Sequence, residues 1–417
     1  QDFSVTAEEA NQMMLELDLR QSSLATLDML GSEDFAKFAA SDAAEAISKM
    51  SGASLSDGKY VVMRGLNDRY NTTLINGVRL PSPNPDRKAV AMDIFPTSLF
   101  EGIIARKTYT SDQPGESSGW SIELKTKGIP DEPFISFSYG IGMQEQTTGE
   151  SVLTDPERVG FKDWLFGDDI RGFSNPSGSD NLVSDYSNKV GAIDFPFMAP
   201  VSREAPFDQS FSFSAGGRYE VNERLTIGGI FGTKMGFKTR SKVTEIDQTN
   251  IESGRFLQDE KGVAVSGSEE YDVAFLIGLG ADLGENNSLN YTYLRSDTIS
   301  STATEKTFKQ LDEQVDENNQ LDFVDTEISI EDRMLQAHQF SGEHLLDTGG
   351  PGDWTLSWYY TAAEMAQLEP DQRLIDNLRL NPDGTLFLPG SNNIERVRAL
   401  RFNRETEQDS DMLGAKI

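Results

Sequence analysis

The chain has 417 residues, 37% of them hydrophobic, no cysteine and a formal net charge of −31. Disulfides, thiolate chemistry and cysteine-based metal sites are excluded, and so acidic a chain is not expected to bind nucleic acid, whose phosphates reward clustered Lys and Arg. No stretch approaches the ~18 consecutive apolar residues of a membrane helix, but a β-barrel escapes that test because only alternate residues face lipid.

Residues 1–30 are polar and acidic and read as a flexible lead, with Leu15, Leu17 and Leu19 as a weak amphipathic turn. The lead opens at Gln1 without a basic-plus-apolar signal segment, which fits either a removed signal or a fragment. Near its start a short β-prone run, Phe3-Ser4-Val5-Thr6-Ala7, sits between Asp2 and Glu8-Glu9. Residues 41–50 predict a short helix capped by Ser41 or Asp42, with Glu45 as capping-box partner and Gly52 as the stop. Tyr60–Met63, Thr73–Ile75 and Ile103–Lys107 read as short strands, Asn76-Gly77 as a tight turn, and Asp93–Phe100 as a helical turn with Pro96 near its start. Residues 31–128 are therefore expected to form a compact α+β unit.

From residue 121 onward, period-2 alternation recurs. Ile135, Phe137, Tyr139 and Ile141 alternate with Ser136, Ser138, Gly140 and Gly142. Phe211 and Phe213 oppose Ser210 and Ser212, Phe275 and Ile277 oppose Gly278 and Gly280, and Trp354 and Trp358 oppose Thr355 and Ser357. Short connections at 220–224, 284–288 and 347–353 alternate with long ones, roughly 144–208, 244–267, 300–333 and 365–396. Outer-membrane barrels sort their loops this way, and only closed barrels or helices can satisfy backbone polar groups in lipid. Residues 129–417 thus predict about eight strands of an antiparallel up-and-down transmembrane β-barrel, whereas plugged transporters have about 22. Eight strands do not close around a unit of this size, so the chain is expected to be the N-terminal part of a longer protein.

The blocks between residues 58 and 127 carry a resemblance. Gly58-Lys59-Tyr60-Val61-Val62-Met63-Arg64-Gly65-Leu66-Asn67-Asp68-Arg69-Tyr70 leads into Thr73-Leu74-Ile75-Asn76-Gly77-Val78-Arg79-Leu80-Pro81. Asp93-Ile94-Phe95-Pro96, Gly102-Ile103-Ile104-Ala105-Arg106-Lys107 and Gly119-Trp120-Ser121-Ile122-Glu123-Leu124 follow in order. The series resembles the plug domain of a TonB-dependent outer-membrane receptor. It departs at Gly119-Trp120, where the family often has Gly-Gly.

The resemblance implies TonB-dependent transport of a scarce substrate (siderophore, vitamin or glycan class) across the outer membrane of a Gram-negative bacterium. The plug would sit in the barrel lumen and the N-terminus in the periplasm. Partners would be TonB with its inner-membrane energising complex, the outer-membrane lipid and an extracellular substrate. Phe3, Ser4, Val5, Thr6 and Ala7 would be the TonB box, pairing as an added β-strand. Arg64 and Lys107 would form ion pairs with wall carboxylates, and Asn67, Asp68, Arg69, Tyr70, Ser82, Asn84, Asp86 and Arg87 would lie on apical loops that touch substrate. No cofactor, metal site or catalytic residue is expected.

The bland readings stand beside these. His338 and His344 lack the partners a metal or nucleophile site needs. The acidic run through Asp312, Glu313, Asp316, Glu317, Asp322 and Asp325 lacks a D-x-D-x-D-G frame. Trp354, Trp358, Tyr291 and Tyr293 suit an aromatic girdle. A hydrolase would need a nucleophile elbow that is absent. The alternative to transport is a soluble β-rich binding or adhesion protein, whose apolar strand face would be hidden in a sandwich core.

Overall fold

The computed structural model describes residues 27–56, 58–65, 71–82, 90–108, 120–130, 132–156, 199–252, 255–284, 286–310, 322–346, 354–380 and 398–416. It begins with strand β1 (Leu27–Gly31), helices α1 (Ser32–Lys37) and α2 (Ala43–Ile47), and strands β2 (Ala53–Ser56) and β3 (Tyr60–Met63). Strands β4 (Asn71–Ile75) and β5 (Val78–Arg79), 3-10 turns at Met92–Ile94 and Thr97–Leu99, and strands β6 (Phe100–Arg106) and β7 (Trp120–Thr126) follow. Five of the strands form one sheet in the order β1-β6-β7-β4-β5, with β4 and β7 parallel, while β2 and β3 pair separately. β1 straddles the boundary expected at residue 30. Its pairing with the edge of β6 is a non-local contact, and five residues are too few for alternation to show it.

Local chemistry explains these elements. Asp42 caps α2 by accepting from the Glu45 amide at 2.9 Å, and the Glu45 carboxylate accepts from the Ser41 amide at 2.8 Å, closing the first turn from both sides. Asn76 (φ 47°) and Gly77 (φ 83°) both adopt the left-handed conformation that the two-residue β4–β5 turn requires. Pro96 starts the second 3-10 turn, so the expected single helical turn is two short ones.

The remaining strands build a wall. These are β8 (Phe134–Gly142), a side hairpin of β9 (Ser151–Thr154) and β10 (Val201–Glu204), then β11 (Asp208–Asn222), β12 (Leu225–Glu252), β13 (Arg255–Leu283), β14 (Asn287–Gln310), β15 (Asp322–Leu346), β16 (Trp354–Leu380) and β17 (Arg398–Lys416). Eight of them form a single sheet in the order β17-β16-β15-β14-β13-β12-β11-β8, all neighbours antiparallel. The fold is mainly β, an unclosed up-and-down barrel wall beside a small α+β unit. One expectation is corrected. Most of the stretches read as long loops at 244–267, 300–333 and 365–396 are strand, because β12–β17 continue their pairing well past the alternating segments. These extensions are rich in Thr, Ser and Glu on both faces, so hydrophobic period does not mark them, whereas backbone pairing needs no apolar side chain.

The two units share one core. Ala43, Ala44, Ile47, Met63, Phe95, Phe100, Ile122 and Leu124 cluster with Ala274, Leu276, Leu294, Leu335, Ala337 and Met365 from the wall. The α+β unit therefore sits on one face of the large sheet. On the other face large apolar side chains are left exposed: Phe137 is 67% exposed, Leu279 54% and Trp354 58%.

Candidate functional site

The contact between the α+β unit and the wall is where charged side chains converge. Asp93, in the first 3-10 turn, receives both arms of the Arg333 guanidinium from β15, Nη1 to Oδ1 at 2.6 Å and Nη2 to Oδ2 at 2.8 Å. This fork-to-fork geometry is open to Arg and not to Lys. Both side chains are nearly inaccessible. The Arg333 charge beside it holds the Asp93 carboxyl below the ordinary range, although burial alone would push it up. Two residues before Arg333, Glu331 meets Lys59 at 2.5 Å.

A second node lies at the start of α2. Lys238 of β12 is 3.4 Å from Asp42 and 2.9 Å from Glu270 of β13, and Lys234 donates to the Ser41 carbonyl at 2.7 Å. Burial dominates at Asp42 and pushes its carboxyl up to about 6, partly offset by Lys238. Burial also opposes ionisation of Glu45, but the Ser41 amide and the two lysines outweigh it and lower its pKa. Neutral contacts complete the seat. Ser296 donates to the Ile94 carbonyl, Asn76 to Gln339 at 3.0 Å, and the Ser82 amide to Gln408 at 2.7 Å.

The residues singled out in the sequence fall differently. Arg64 and Lys107 are brought together, but around Trp120, with the Arg64 guanidinium 5.7 Å and the Lys107 ammonium 5.9 Å from its ring centroid. Lys107 pairs with Asp28 of β1 and donates to the Ser51 carbonyl at 3.1 Å. Among the described residues neither cation meets a wall carboxylate. The ring at 120, where the family often has a second glycine, supplies a π-face that holds both cations. Ser82 touches the wall residue Gln408. Phe3, Ser4, Val5, Thr6, Ala7, Asn67, Asp68, Arg69, Tyr70, Asn84, Asp86 and Arg87 lie outside the described residues. His338 and His344 bond to Tyr291, Gln336, Asn287 and Trp358, all on the plug-distal face of the wall.

Sequence reasoning missed Asp93, Arg333, Lys59, Glu331 and Lys238 as a set. The available signal was parity. Lys234, Lys238, Glu270, Asp272, Glu331 and Arg333 all occupy the strand positions opposite the exposed apolar ones.

A small unit seated by ion pairs and a shared apolar core on one face of an up-and-down sheet, with large apolar side chains exposed on the opposite face, has the arrangement of a plugged barrel wall. Residues 20–118 match the family model for the TonB-dependent receptor plug domain. The solved structures similar to the chain include the following three. The unliganded ferric citrate transporter FecA is 10% identical, with 96% of this chain and 61% of that one covered and a TM-score of 0.37. A mutant of the ferric enterobactin receptor PfeA from Pseudomonas aeruginosa is 12% identical, with 96% and 60% covered and a TM-score of 0.34. The siderophore receptor PirA from Acinetobacter baumannii is 10% identical, with 99% and 60% covered and a TM-score of 0.32. The chain thus spans about three-fifths of the length of each. No curated protein matches it.

Proposed function

We propose that the chain is the plug and first wall strands of a TonB-dependent receptor, which moves a scarce siderophore, vitamin or glycan across the outer membrane of a Gram-negative bacterium. The observation that carries this is the seat of the plug. Its ion pairs, Asp93–Arg333, Lys59–Glu331 and Asp42–Lys238, each place one partner on the plug and one on the wall. A plug seated on the wall by side-chain contacts, with no strand of its own in the wall sheet, can be displaced without unfolding the wall. The reading places Phe3–Ala7 in the periplasm, paired as an added strand with TonB and powered by its inner-membrane complex. It places Asn67–Tyr70 and Ser82–Arg87 on the substrate side of the lumen, and it assigns no catalysis to the chain. A soluble sandwich would need a second sheet over the plug-distal face, where among the described residues only the β9–β10 hairpin lies.

TonB recognition tests the proposal. Pro removes a backbone donor and interrupts a ladder. Val5→Pro in the full-length receptor is expected to abolish capture by the periplasmic domain of TonB, and Thr6→Ala to leave it largely intact. Undiminished capture of the Val5→Pro variant would move the contact elsewhere.

A further inference from the structure

A single row of paired residues crosses five wall strands. Ser241 pairs with Gly267, Gly267 with Ala303, Ala303 with Ile328, and Ile328 with Arg373. Gly267 has the strand parity of Phe275, opposite to that of Ala274 and Leu276, which join the plug core. The row therefore lies on the plug-distal face. A bulge in β16 between Leu368 and Arg373 turns Arg373 onto this face as well. Three of the five residues are small, so the row is a shallow trough running across the strands.

The trough is occupied by the chain itself. Strand β9 lies over β12, β13 and β14. A side chain at Gly267 would run into the Leu153 carbonyl and reach within 2.5 Å of Val152 Cγ1, so only glycine permits this approach. Val152 is 2% exposed. At the far end of the row Arg373 Nη1 stands 3.7 Å from Asp155 Oδ1, each side chain 2% exposed. The hairpin is tied internally, with Arg203 donating to the Pro156 carbonyl at 3.0 Å and Thr154 to the Val201 carbonyl at 3.4 Å. Seating β9 brings these two buried charges of opposite sign together.

We propose that the β9–β10 hairpin is a clip. The hairpin seats β9 in the Ser241–Gly267–Ala303 trough on the plug-distal face, and residue Asp155, just after β9, pins it to Arg373 of β16. It acts as a chord across β12–β16, fixing their curvature from the side opposite the plug. It also divides that face, leaving the exposed apolar positions on the side of the 220–224 and 284–288 turns for lipid. The trough and the pin are separate from the plug seat, so the clip holds whatever the plug does.

These 417 residues contain no cysteine, so in the full-length receptor, with any cysteine outside them replaced by serine, a V152C substitution gives a clean reporter, assayed in outer-membrane vesicles with a membrane-impermeant maleimide. A second reporter, A46C, at a position with no exposure in the plug core, registers global loosening. With the clip seated, V152C is protected. Gly267→Val, which fills the trough, and Asp155→Asn, which removes the pin with almost no change in volume, are each expected to speed its labelling at least about tenfold, since labelling follows the population of the open form. A46C stays silent. Should Gly267→Val also expose A46C, Asp155→Asn decides alone. Free labelling of V152C in the parent, or unchanged protection in the Asp155→Asn variant, would overturn the clip.

Discussion

Arg333 illustrates how a wall charge is committed to the plug. Its guanidinium sits inside the shared core, and both terminal nitrogens are spent on Asp93. Arg333→Ala would strand a buried carboxylate, so plug docking is expected to weaken by roughly 3–5 kcal/mol, read as a lower urea midpoint for plug release. The double variant Asp93→Leu/Arg333→Met replaces the pair with apolar volume and should recover most of that loss. Asp42 gives a pH signature. With its carboxyl pushed up to about 6 in the docked state, the docked plug binds more protons than the free one between about pH 4 and 6. Docking should therefore weaken as pH rises through that window. Asp42→Asn keeps the cap and should flatten the slope. Asp93 has the opposite sign, since its lowered carboxyl contributes above the ordinary range and that contribution is lost on further acidification. A plug-release midpoint that rises from pH 4 to 6 would contradict the assignment at Asp42.

At the scale of the strand, parity decides the fate of a charge. Phe137 faces away from the plug and packs edge-on against Phe211 at 5.4 Å between ring centroids, while Ser138 points to the lumen side. An arginine on the lipid face costs about 2–4 kcal/mol at mid-depth, and adjacent strand residues face opposite sides. Phe137→Arg is thus expected to lower the outer-membrane level of the full-length receptor several-fold more than Ser138→Arg. Equal levels on immunoblots would count against the orientation. Alternation made β8, β11 and the lower halves of β12–β16 legible from sequence, because one face there is apolar and the other small or polar. The upper halves were not legible, since Thr239, Glu269, Ser301 and Thr326 put polar residues on the plug-distal face too. That face is covered there by the clip and does not follow the lipid pattern.

Across the whole molecule, the plug blocks from Gly58 to Lys127 pointed to the class of protein, while the site itself was only half readable. Asp93 and Lys59 lie inside those blocks, but their partners Arg333 and Glu331 are more than two hundred residues away, and no local pattern links them. Arg64 and Lys107 were expected to reach the wall; among the described residues Arg64 lies over the Trp120 ring, and Lys107 pairs with Asp28 and the Ser51 carbonyl beside it. The central claim is that this plug and wall belong to an energised transporter. The most direct measurement is accumulation of radiolabelled siderophores, vitamins and oligosaccharides by a deletion strain carrying the full-length receptor, with and without a proton uncoupler. The account predicts that one class accumulates only when the receptor is present and the membrane energised, and that the Val5→Pro receptor still binds it at the surface without taking it up. Accumulation that persists with the uncoupler and with Val5→Pro would contradict the account.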